Sequence, residues 1–582
     1  MIPRRLALSV VSAISLVVLL SFGLLASIAP SPALAAPQPS SQSLRTSARN
    51  ISVIHLPDPP PYETTDEESA YKKKKKPAKK PAKPDPGSPL KPQPGPPTLK
   101  DAWARIERWN RFLPENARRY KYCAMAESPF RFLRATNHLF WEDLANDKRK
   151  WQYGGERMHR AWLQGDLHPE NWGTFHDPNS VLVYGVNDFD DAIMDDYQLD
   201  LWRMSTGIIL WSQTHFTELL PTLPSIRDTL VLPFVKAYID KLADIRGRGG
   251  KLDNGDSLTL ETVKEPLLSF MEKVNRTKTR PKMIEGLCTL DEEGRQIFDL
   301  VRASDKLRPI TVSRGRELLI AYRDTYSRSL ATGTGKLRWD PEGYFKVKDM
   351  VQRIDQGTSS LGQDRYYFLI EGKTTSPEDD RVLDIKHQRA PCGLLFWYWD
   401  RREEYDDVFS DNHARAFVEA GRSMTDNTDE HIGWIVLYDA TMFSVSDLSP
   451  YKKKINPAKM DSLELLTSLA KQWGHGLAVT HVRSNDKNVH VSDAIQNRVL
   501  DAIGKDEKGF LDLVWEITTE FYNTVEADFA DFKTNLGDVC REVDAEGWWM
   551  AEGWREEELM NAEKVREVWQ ELVGNDGSSL AV

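Results

Sequence analysis

The spacing of apolar side chains changes several times along the chain, and each change marks a predicted element. Apolar residues three and four positions apart indicate helices, whereas short runs rich in Val, Ile, Tyr and Phe between turn residues indicate strands. Helices are predicted at 103–109, 139–144, 197–210, 414–424 and 462–483. Strands are predicted at 181–184, 350–354, 365–370 and 382–386, with a hairpin at 433–438 and 442–445. The mixture predicts an α+β fold.

The N-terminal residues carry a different pattern, which is typical of export. Arg4 and Arg5 precede an apolar run at 6–28, and an Ala-Leu-Ala cleavage pattern follows at 33–35. Residues 1–35 are therefore predicted to be a signal peptide. An uncleaved signal anchor is the alternative, because the run is long enough to span a bilayer. The folded part is expected in the periplasm, outside the cell or on the outer face of the membrane.

Residues 36–97 are predicted to be a disordered linker. The segment is rich in Pro and Lys, includes five consecutive lysines at 72–76 and has few apolar residues, so it cannot bury a core. It acts either as a tether whose lysines contact anionic lipid or wall polymer, or as a spacer only.

Composition excludes one class of function. The 582-residue chain has a formal net charge of −10, whereas a protein that binds a phosphate backbone needs an excess of Lys and Arg. Nucleic acid is therefore not an expected partner. The 18 Trp are interpreted as packing groups. Cys123, Cys288, Cys392 and Cys540 include no C-x-x-C pair and are interpreted as small core residues, with disulfides as the alternative.

The segment at 162–173, WLQGDLHPENWG, carries the strongest candidate chemistry. Asp166 and Asn171 stand five residues apart, which is the spacing of the catalytic Asp and the metal-binding Asn in the kinase catalytic loop. Asp188 lies seventeen residues further along, where such enzymes keep a second metal ligand. We predict that Asp166 orients or deprotonates a substrate hydroxyl and that Asn171 and Asp188 hold magnesium. His168, inside the loop, is predicted to order it.

A second candidate region lies far downstream and has the pattern of a nucleotide grip. Small residues from Gly357 to Gly362 form a turn between two predicted strands, and Lys386 ends a third strand. In kinases the amides of such a turn face the phosphates, and the Lys pairs with the α- and β-phosphates. A simple hairpin turn with a Lys at the strand edge is the alternative.

Two acidic residues on predicted helices extend the candidate site. Glu419, in the helix at 414–424, is the predicted partner of Lys386, and Glu403 and Glu404 are its rivals. Asp200, near the start of the helix at 197–210, either buttresses the catalytic loop or caps its own helix.

The order of these parts along the chain predicts a circular permutation. The helix at 462–483 contains L-A-x-x-H with His481, a pattern that ordinarily precedes the catalytic loop in aminoglycoside-phosphotransferase-like kinases, yet here it follows the loop. Permutation is acceptable where the original termini were close and exposed. It requires Lys386 to lie near Asp188 and the helix carrying His481 to pack beside Asp166.

The permuted arrangement divides the chain into predicted parts. Residues 98–340 form the helical large lobe with the catalytic loop, 341–455 a small antiparallel-sheet nucleotide lobe, and 456–570 the C-terminal helices that complete the large lobe. The predicted fold class is thus α+β, with a kinase-like two-lobed architecture.

Four segments resemble the bacterial domain-of-unknown-function family 2252. They are FRFLRATNHLFW at 130–141, QGDLHPENWG at 164–173, VNDFDDA at 186–192 and LDLWRMS at 199–205. With weaker matches at the Gly357 turn, the Lys386 strand and 473–486, the resemblance covers roughly 120–535. It implies a fold related to protein kinases and aminoglycoside phosphotransferases, without an established substrate. The chain departs from the expected family pattern at Trp172, Ser359 and Ser360.

These observations favour a phosphotransferase that uses Mg-ATP, or another nucleotide, on an unknown small molecule or surface component. The expected partners are the nucleotide and this acceptor, and the N-terminus is expected to lie near a membrane or cell wall. Two alternatives stay open: a catalytically silent kinase-fold binding protein, and a nucleotidyltransferase that uses the same site. The oligomeric state is not predicted.

Overall fold

The structure is a computed structural model, which describes residues 101–177, 179–331, 337–354, 361–397, 399–425, 429–484, 494–537, 540 and 559–574. The predicted signal peptide at 1–35, the linker at 36–97 and Gly357 lie outside these residues. Within the described ranges, no helix combines the length and the apolar character needed to cross a membrane.

Helices dominate the described ranges, and short strands lie among them. The α-helices are α1 (Ala102–Asn110), α2 (Glu115–Met125), α3 (Pro129–Ala135), α4 (Asn137–Leu144), α5 (Gln198–His215), α6 (Leu223–Ile226), α7 (Leu232–Gly247), α8 (Leu267–Thr277), α9 (Arg280–Leu287), α10 (Val312–Ala321), α11 (Ser327–Ala331), α12 (Trp399–Phe409), α13 (His413–Met424), α14 (Leu463–Ser484), α15 (Ile495–Ile503), α16 (Glu507–Leu536) and α17 (Ala562–Gly574). The strands are β1 (Arg160–Leu163), β2 (Trp172–His176), β3 (Leu182–Val186), β4 (Ile193–Asp196), β5 (Leu258–Thr259), β6 (Cys288–Leu290), β7 (Gln296–Phe298), β8 (Leu307–Arg308), β9 (Val347–Arg353), β10 (Arg365–Ile370), β11 (Arg381–His387), β12 (Gly433–Val436) and β13 (Met442–Asp447).

The α+β prediction is confirmed, and each helix and strand predicted from the apolar spacing is present with ends shifted by a few residues. No range was predicted for the strands β1, β2, β4 and β5 to β8 or for the helices α2, α3, α6 to α12 and α15 to α17. Strands of two or three residues are too short to show a period of two, so they left no pattern to find.

The strands form antiparallel sheets, and one of them is large. Its six strands lie in the order β12-β13-β11-β10-β9-β8, a three-stranded sheet has the order β2-β3-β5, and two pairs join β1 to β4 and β6 to β7. Residues of β10 alternate between two apolar clusters. Tyr366, Phe368 and Ile370 pack with α10 and α17, whereas Tyr367 and Leu369 pack with α9, β6 and β7. Because both faces are covered, the strand is apolar along most of its length.

The largest core surrounds α5, which is buried from Gln198 to Ser212. Such a helix must be nearly apolar all round, and its few polar side chains need partners. Seven Trp are among the most deeply buried side chains, which supports their interpretation as packing groups: Trp141, Trp162, Trp172, Trp202, Trp211, Trp473 and Trp569.

Two of the four cysteines are buried core residues as predicted, and the other two form a disulfide. Cys288 and Cys392 are buried thiols. Cys123 and Cys540, in contrast, form a disulfide with Cα atoms 5.5 Å apart. A sequence separation of 417 residues explains why their spacing gave no indication of this pairing.

Candidate functional site

The catalytic-loop segment turns sharply after β1. Gly165 has a φ of +80°, and a Cβ atom at this position would lie 1.9 Å from the carbonyl oxygen of Asp191, so a side chain is excluded. The carbonyl oxygen of Gly165 accepts hydrogen bonds from Trp141 Nε1 at 2.9 Å and from Asn137 Nδ2 at 3.0 Å. The turn is therefore fixed by the helix α4 and by the acidic segment 187–191.

Asp200, from α5, also stabilises this turn. Its carboxylate accepts the backbone N–H of Gln164 at 2.8 Å and of Gly165 at 3.0 Å. His481 Nε2 lies 3.4 Å from the same carboxylate, and Nδ1 lies 3.0 Å from the hydroxyl of Tyr238. Of the two roles left open for Asp200, buttressing the loop is the one that these contacts show. The helix carrying His481 thus meets the catalytic loop through Asp200.

Asp166 is buried and has one cationic partner. Arg203, from α5, donates to Oδ1 from Nε at 3.1 Å and from Nη2 at 2.7 Å. Burial raises the pKa of Asp166 to about 7 even though Arg203 opposes the shift. Since Oδ1 is taken by Arg203, Oδ2 is the oxygen available to a ligand. A carboxylate whose pKa is about 7 can accept a proton near neutral pH.

His168 and Asn171 complete the loop. His168 Nδ1 accepts the N–H of Glu170 at 3.2 Å, which places the ring proton on Nε2, 3.9 Å from Asp166 Oδ2. Burial, with Arg134 nearby, lowers the pKa of His168 well below its ordinary value, so the ring is neutral. Asn171 Nδ2 donates to the carbonyl oxygen of Asp166 at 3.0 Å. Its amide oxygen is therefore the atom left to ligate a cation.

The acidic segment after β3 meets Lys386 from β11. The Lys386 ammonium lies 3.9 Å from Asp188 Oδ1 and forms a closer ion pair with Asp190. Asp190 also accepts a hydrogen bond from Gln388 Nε2 at 2.9 Å. Burial by itself would lower the pKa of Lys386, but Asp190 and Asp188 outweigh it and the pKa is raised. The proximity of Lys386 and Asp188 that a permuted chain requires is present.

The two aspartates beside Lys386 have pKa values that are shifted in opposite directions. Burial would raise the pKa of Asp188, but Lys386, followed by Lys452 and Lys454, holds it below its ordinary value. The pKa of Asp190 is instead raised, because burial there outweighs Lys386. Of the two, Asp188 is the more readily ionised carboxylate, which suits a metal ligand.

The pairing predicted for Glu419 is wrong. Glu419 lies 3.2 Å from Arg422 of its own helix, while the contacts of Lys386 are with aspartates. Glu404 pairs with Arg160 at 3.0 Å and does not take that place either. The spacing of residues around Lys386 could not predict its partners, because the aspartates that pair with Lys386 come from a distant part of the chain. Gly362, with a φ of +83°, keeps the turn conformation expected of it.

Two cavities adjoin this segment. The smaller, of about 100 Å³, is lined by Asp166, Asn171, Asp188 and Asp190 together with residues of α2, α3 and the segment that follows β11. The larger, of about 440 Å³, is lined by Asn187 and Phe189 and by residues of α13, β13 and the connection 449–452. Asp166, Asn171 and Asp188 therefore share the smaller cavity, whereas His168 is not among the residues that line it.

Asn171 and Asp188 carry side-chain oxygens of the kind that magnesium takes as ligands. Within the described ranges, no group of three or more His, Cys, Asp and Glu side chains is placed to hold a metal. Magnesium, however, is commonly held by one or two protein oxygens and by the phosphates of its nucleotide. The amide oxygen of Asn171 and the carboxylate of Asp188 are the oxygens that this arrangement would use.

Several residues of the site were not predicted. Arg203 lies in the segment LDLWRMS and Asp190 in VNDFDDA. Both segments resemble the family, but no role was predicted for either residue. Gln164 bridges the two halves, since its Nε2 donates to the Asp188 carbonyl oxygen at 2.6 Å and its Oε1 accepts the Asp166 N–H at 3.0 Å. Arg203 is a charged residue on an otherwise apolar helix. Because a buried charge needs a partner, this position could have predicted a contact with an acidic residue.

Comparison with known proteins identifies a family. The model of a family described as uncharacterized proteins conserved in bacteria (DUF2252) matches residues 113–535, which is well over half of the chain. The chain therefore belongs to this family. No curated protein and no solved structure matches it significantly.

Proposed function

We propose that the protein is an exported, circularly permuted kinase-like phosphotransferase that uses Mg-ATP on a small-molecule or surface acceptor. The observation that carries the proposal is the meeting of Asp166, Asn171 and Asp188 at one cavity, with Lys386 beside them. The active sites of kinases combine a proton-accepting Asp, a metal-binding Asn and Asp, and a phosphate-binding Lys in the same way.

The order of elements supports the kinase-like part of the proposal. Strands β9, β10 and β11 are neighbours in the sheet, Gly362 belongs to the turn between the first two, and Lys386 is on the third. Helix α13 then precedes β12 and β13. These elements would form the small lobe, and α14, which meets the loop through Asp200, would complete the large one.

Asp166 would act on the acceptor hydroxyl. With Oδ1 held by Arg203, Oδ2 receives the hydroxyl proton as the acceptor oxygen bonds to the γ-phosphorus. The bond between that phosphorus and the β,γ-bridging oxygen breaks, and ADP leaves. His168, neutral and hydrogen-bonded to the loop backbone, would keep the turn in shape without adding charge.

Asn171 and Asp188 would hold the magnesium ion, which neutralises charge on the phosphates. Lys386 would exchange Asp190 for the α- and β-phosphates, because a nucleotide brings more negative charge than one carboxylate. The turn at Gly362 would cover the phosphates.

The larger cavity would hold the nucleoside. Its volume of about 440 Å³ lies in the range of small-molecule sites. It is lined by Ser446 of β13 and by Ser449 in the connection from the sheet to α14, and also by Asn187, which precedes the proposed metal ligand in the chain. A nucleotide could therefore place its phosphates beside Asp188 and its base against this connection.

The disulfide supports export. A bond between Cys123 and Cys540 persists where the surroundings are oxidising, as outside the cytoplasm. Residues 1–35 would direct the export and residues 36–97 would space the enzyme from the membrane or wall.

A silent binding protein is the second candidate. The observation that favours it is the pairing of Glu419 with Arg422, which leaves Lys386 without the helix Glu expected in an active kinase.

Labelled ATP separates the candidates. The purified chain is incubated with magnesium, a mixture of small hydroxyl compounds, and ATP labelled at the γ- or α-phosphate. Transfer of the γ label is expected, and Asp188→Asn should abolish it. Transfer of the α label would identify a nucleotidyltransferase instead. Without transfer of either label, and with ATP still bound, the silent alternative is correct.

A further inference from the structure

Three consecutive lysines, Lys452, Lys453 and Lys454, lie in the connection between β13 and α14. The side chains of Lys452 and Lys454 are exposed, and Lys453 between them is half-buried. Because 87 Asp and Glu outnumber 77 Lys and Arg in the chain, a run of three cations is a local feature and not a property of the whole surface. The function proposed above assigns no role to these lysines.

The connection that carries the lysines is fixed to strand β2, which follows the predicted catalytic loop. The backbone N–H of Thr174 donates to the carbonyl oxygen of Lys453 at 2.9 Å, and its hydroxyl donates to that of Tyr451 at 2.5 Å. The Tyr451 ring stacks on His176, with ring centres 3.7 Å apart. A Cβ atom at Gly173 would lie 2.7 Å from the Lys453 carbonyl oxygen, so the connection lies directly on this strand. The backbone of the lysines is therefore held at this position.

Lys452 and Lys454 lie near the candidate site. Lys452 lines the larger cavity, and among the described residues its ammonium group has no carboxylate within ion-pair distance. The Lys454 ammonium lies 4.0 Å from Glu170 in the predicted catalytic loop, but Glu170 has a closer partner in Arg134 at 2.7 Å. Both lysines also attract the carboxylate of Asp188. Neither ammonium group is therefore neutralised by a close ion pair of its own.

The acidic segment after β3 creates a need for such cations. Asp188, Asp190 and Asp191 all line the smaller cavity, and Lys386 is the ammonium group that contacts the first two. A phosphate chain with several negative charges is repelled by neighbouring carboxylates, so Lys386 and one magnesium ion leave part of this repulsion uncompensated. An ammonium group on a flexible stem binds phosphate oxygens as a point charge.

We propose that Lys452 and Lys454 form a second phosphate-binding element, which acts with Lys386 on the phosphate chain of the nucleotide. The inference rests on the proposed function and adds the residues that bind the phosphates between the larger cavity and Asp188. The recognised chemistry is the phosphate chain itself, so the same two lysines also bind an inorganic polyphosphate.

Magnesium tripolyphosphate is a probe for the phosphate chain without a nucleoside. In titration calorimetry with the full chain, Lys452→Gln and Lys454→Gln should each weaken its binding about fivefold, and the double variant about 25-fold. Lys459→Gln, at an exposed lysine of the same connection, is the matched control and should bind the probe like the wild type.

Two further measurements distinguish a charge effect from a structural effect. The double variant Lys452→Arg, Lys454→Arg keeps both charges and should bind the probe within about threefold of the wild type. Raising the salt concentration should weaken binding by the wild type more than binding by the double Gln variant, because the wild type has more charge to be screened. If the double Gln variant does not fold, the single variants carry the test.

Competition shows whether the lysines serve the nucleotide. A non-hydrolysable ATP analogue with magnesium should displace tripolyphosphate, and its binding should weaken in the same Gln variants. Binding of both ligands at once, with an affinity for the analogue that does not depend on Lys452 and Lys454, would overturn the inference.

The outcomes separate this inference from the proposed function. Tripolyphosphate binding that is absent, or that is unchanged in the double Gln variant, overturns the inference even if the γ label of ATP is transferred. Absence of Mg-ATP binding and of label transfer, together with tripolyphosphate binding that is lost in the double Gln variant and restored by Arg, overturns the phosphotransferase and leaves a polyphosphate site at Lys452 and Lys454.

Discussion

The predicted catalytic loop and the acidic segment after β3 each bring an aspartate to the same cavity, but the two aspartates lie in different surroundings. Asp166 is buried against Arg203, and its pKa is raised to about 7. Asp188 faces Lys386, its side chain is 41% exposed, and its pKa is held below the ordinary value. The comparison shows that the local environment gives the two carboxylates different acid–base properties. Asp166 can exchange a proton near neutral pH, whereas Asp188 stays charged.

Replacing the aspartate of the loop should have the largest effect. Asp166→Asn keeps an oxygen for Arg203 but cannot take a proton, so turnover should fall about 10³-fold while Mg-ATP binding stays within about threefold. Steady-state transfer of the γ label and calorimetry measure the two quantities. The exposed Asp501→Asn is the control. Normal turnover by Asp166→Asn would remove Asp166 from the proton transfer.

The pH dependence of stability sharpens the contrast for the same residue. In the folded protein without metal, Asp166 has a pKa of about 7, against 3.8 as its ordinary value. Between these values only the folded state keeps the proton, so the free energy of unfolding should fall as pH rises from about 4 to 7. Asp166→Asn lacks this contribution.

Denaturant unfolding in the presence of EDTA measures the contribution of Asp166 to the free energy of unfolding at each pH. The stability of wild type relative to Asp166→Asn should decrease by about 2–4 kcal/mol between pH 4 and 7.5. A difference that is constant over this range would contradict the raised pKa.

The acidic segment should show the opposite division of effects. Asp188→Asn removes a charged metal ligand, so binding of Mg-ATP should weaken about 100-fold. The Asp305→Asn variant, at an exposed ion pair with Lys306, serves as the control. Calorimetry with a non-hydrolysable ATP analogue, with and without magnesium, measures the change. If Asp188→Asn binds the magnesium complex as tightly as wild type, its role as a metal ligand is wrong.

The support of the loop should matter for folding more than for nucleotide binding. Asp200→Asn keeps one acceptor for the N–H groups of Gln164 and Gly165 and loses the other, which should lower the free energy of unfolding by about 2 kcal/mol. Asp501→Asn, at an exposed pair with Arg246, should change it by less than about 0.5 kcal/mol. Equal stability of the two variants would show that Asp200 does not hold the loop.

The sequence by itself determined the parts of the molecule that depend on local spacing. The distance between Asp166 and Asn171, the strand pattern around Lys386 and the apolar helices can be read from neighbouring residues, because helix, strand and turn geometry act over a few positions.

Only the tertiary structure decided which groups meet. Arg203 on Asp166, Asp190 on Lys386 and the Cys123–Cys540 disulfide join residues that are far apart in the chain. The pairing of Glu419 with Arg422 instead of Lys386, and the placement of Lys121 beside the cavity, were decided in the same way. Such contacts are selected by packing and by the energy of burying charge, neither of which leaves a periodic trace in the sequence.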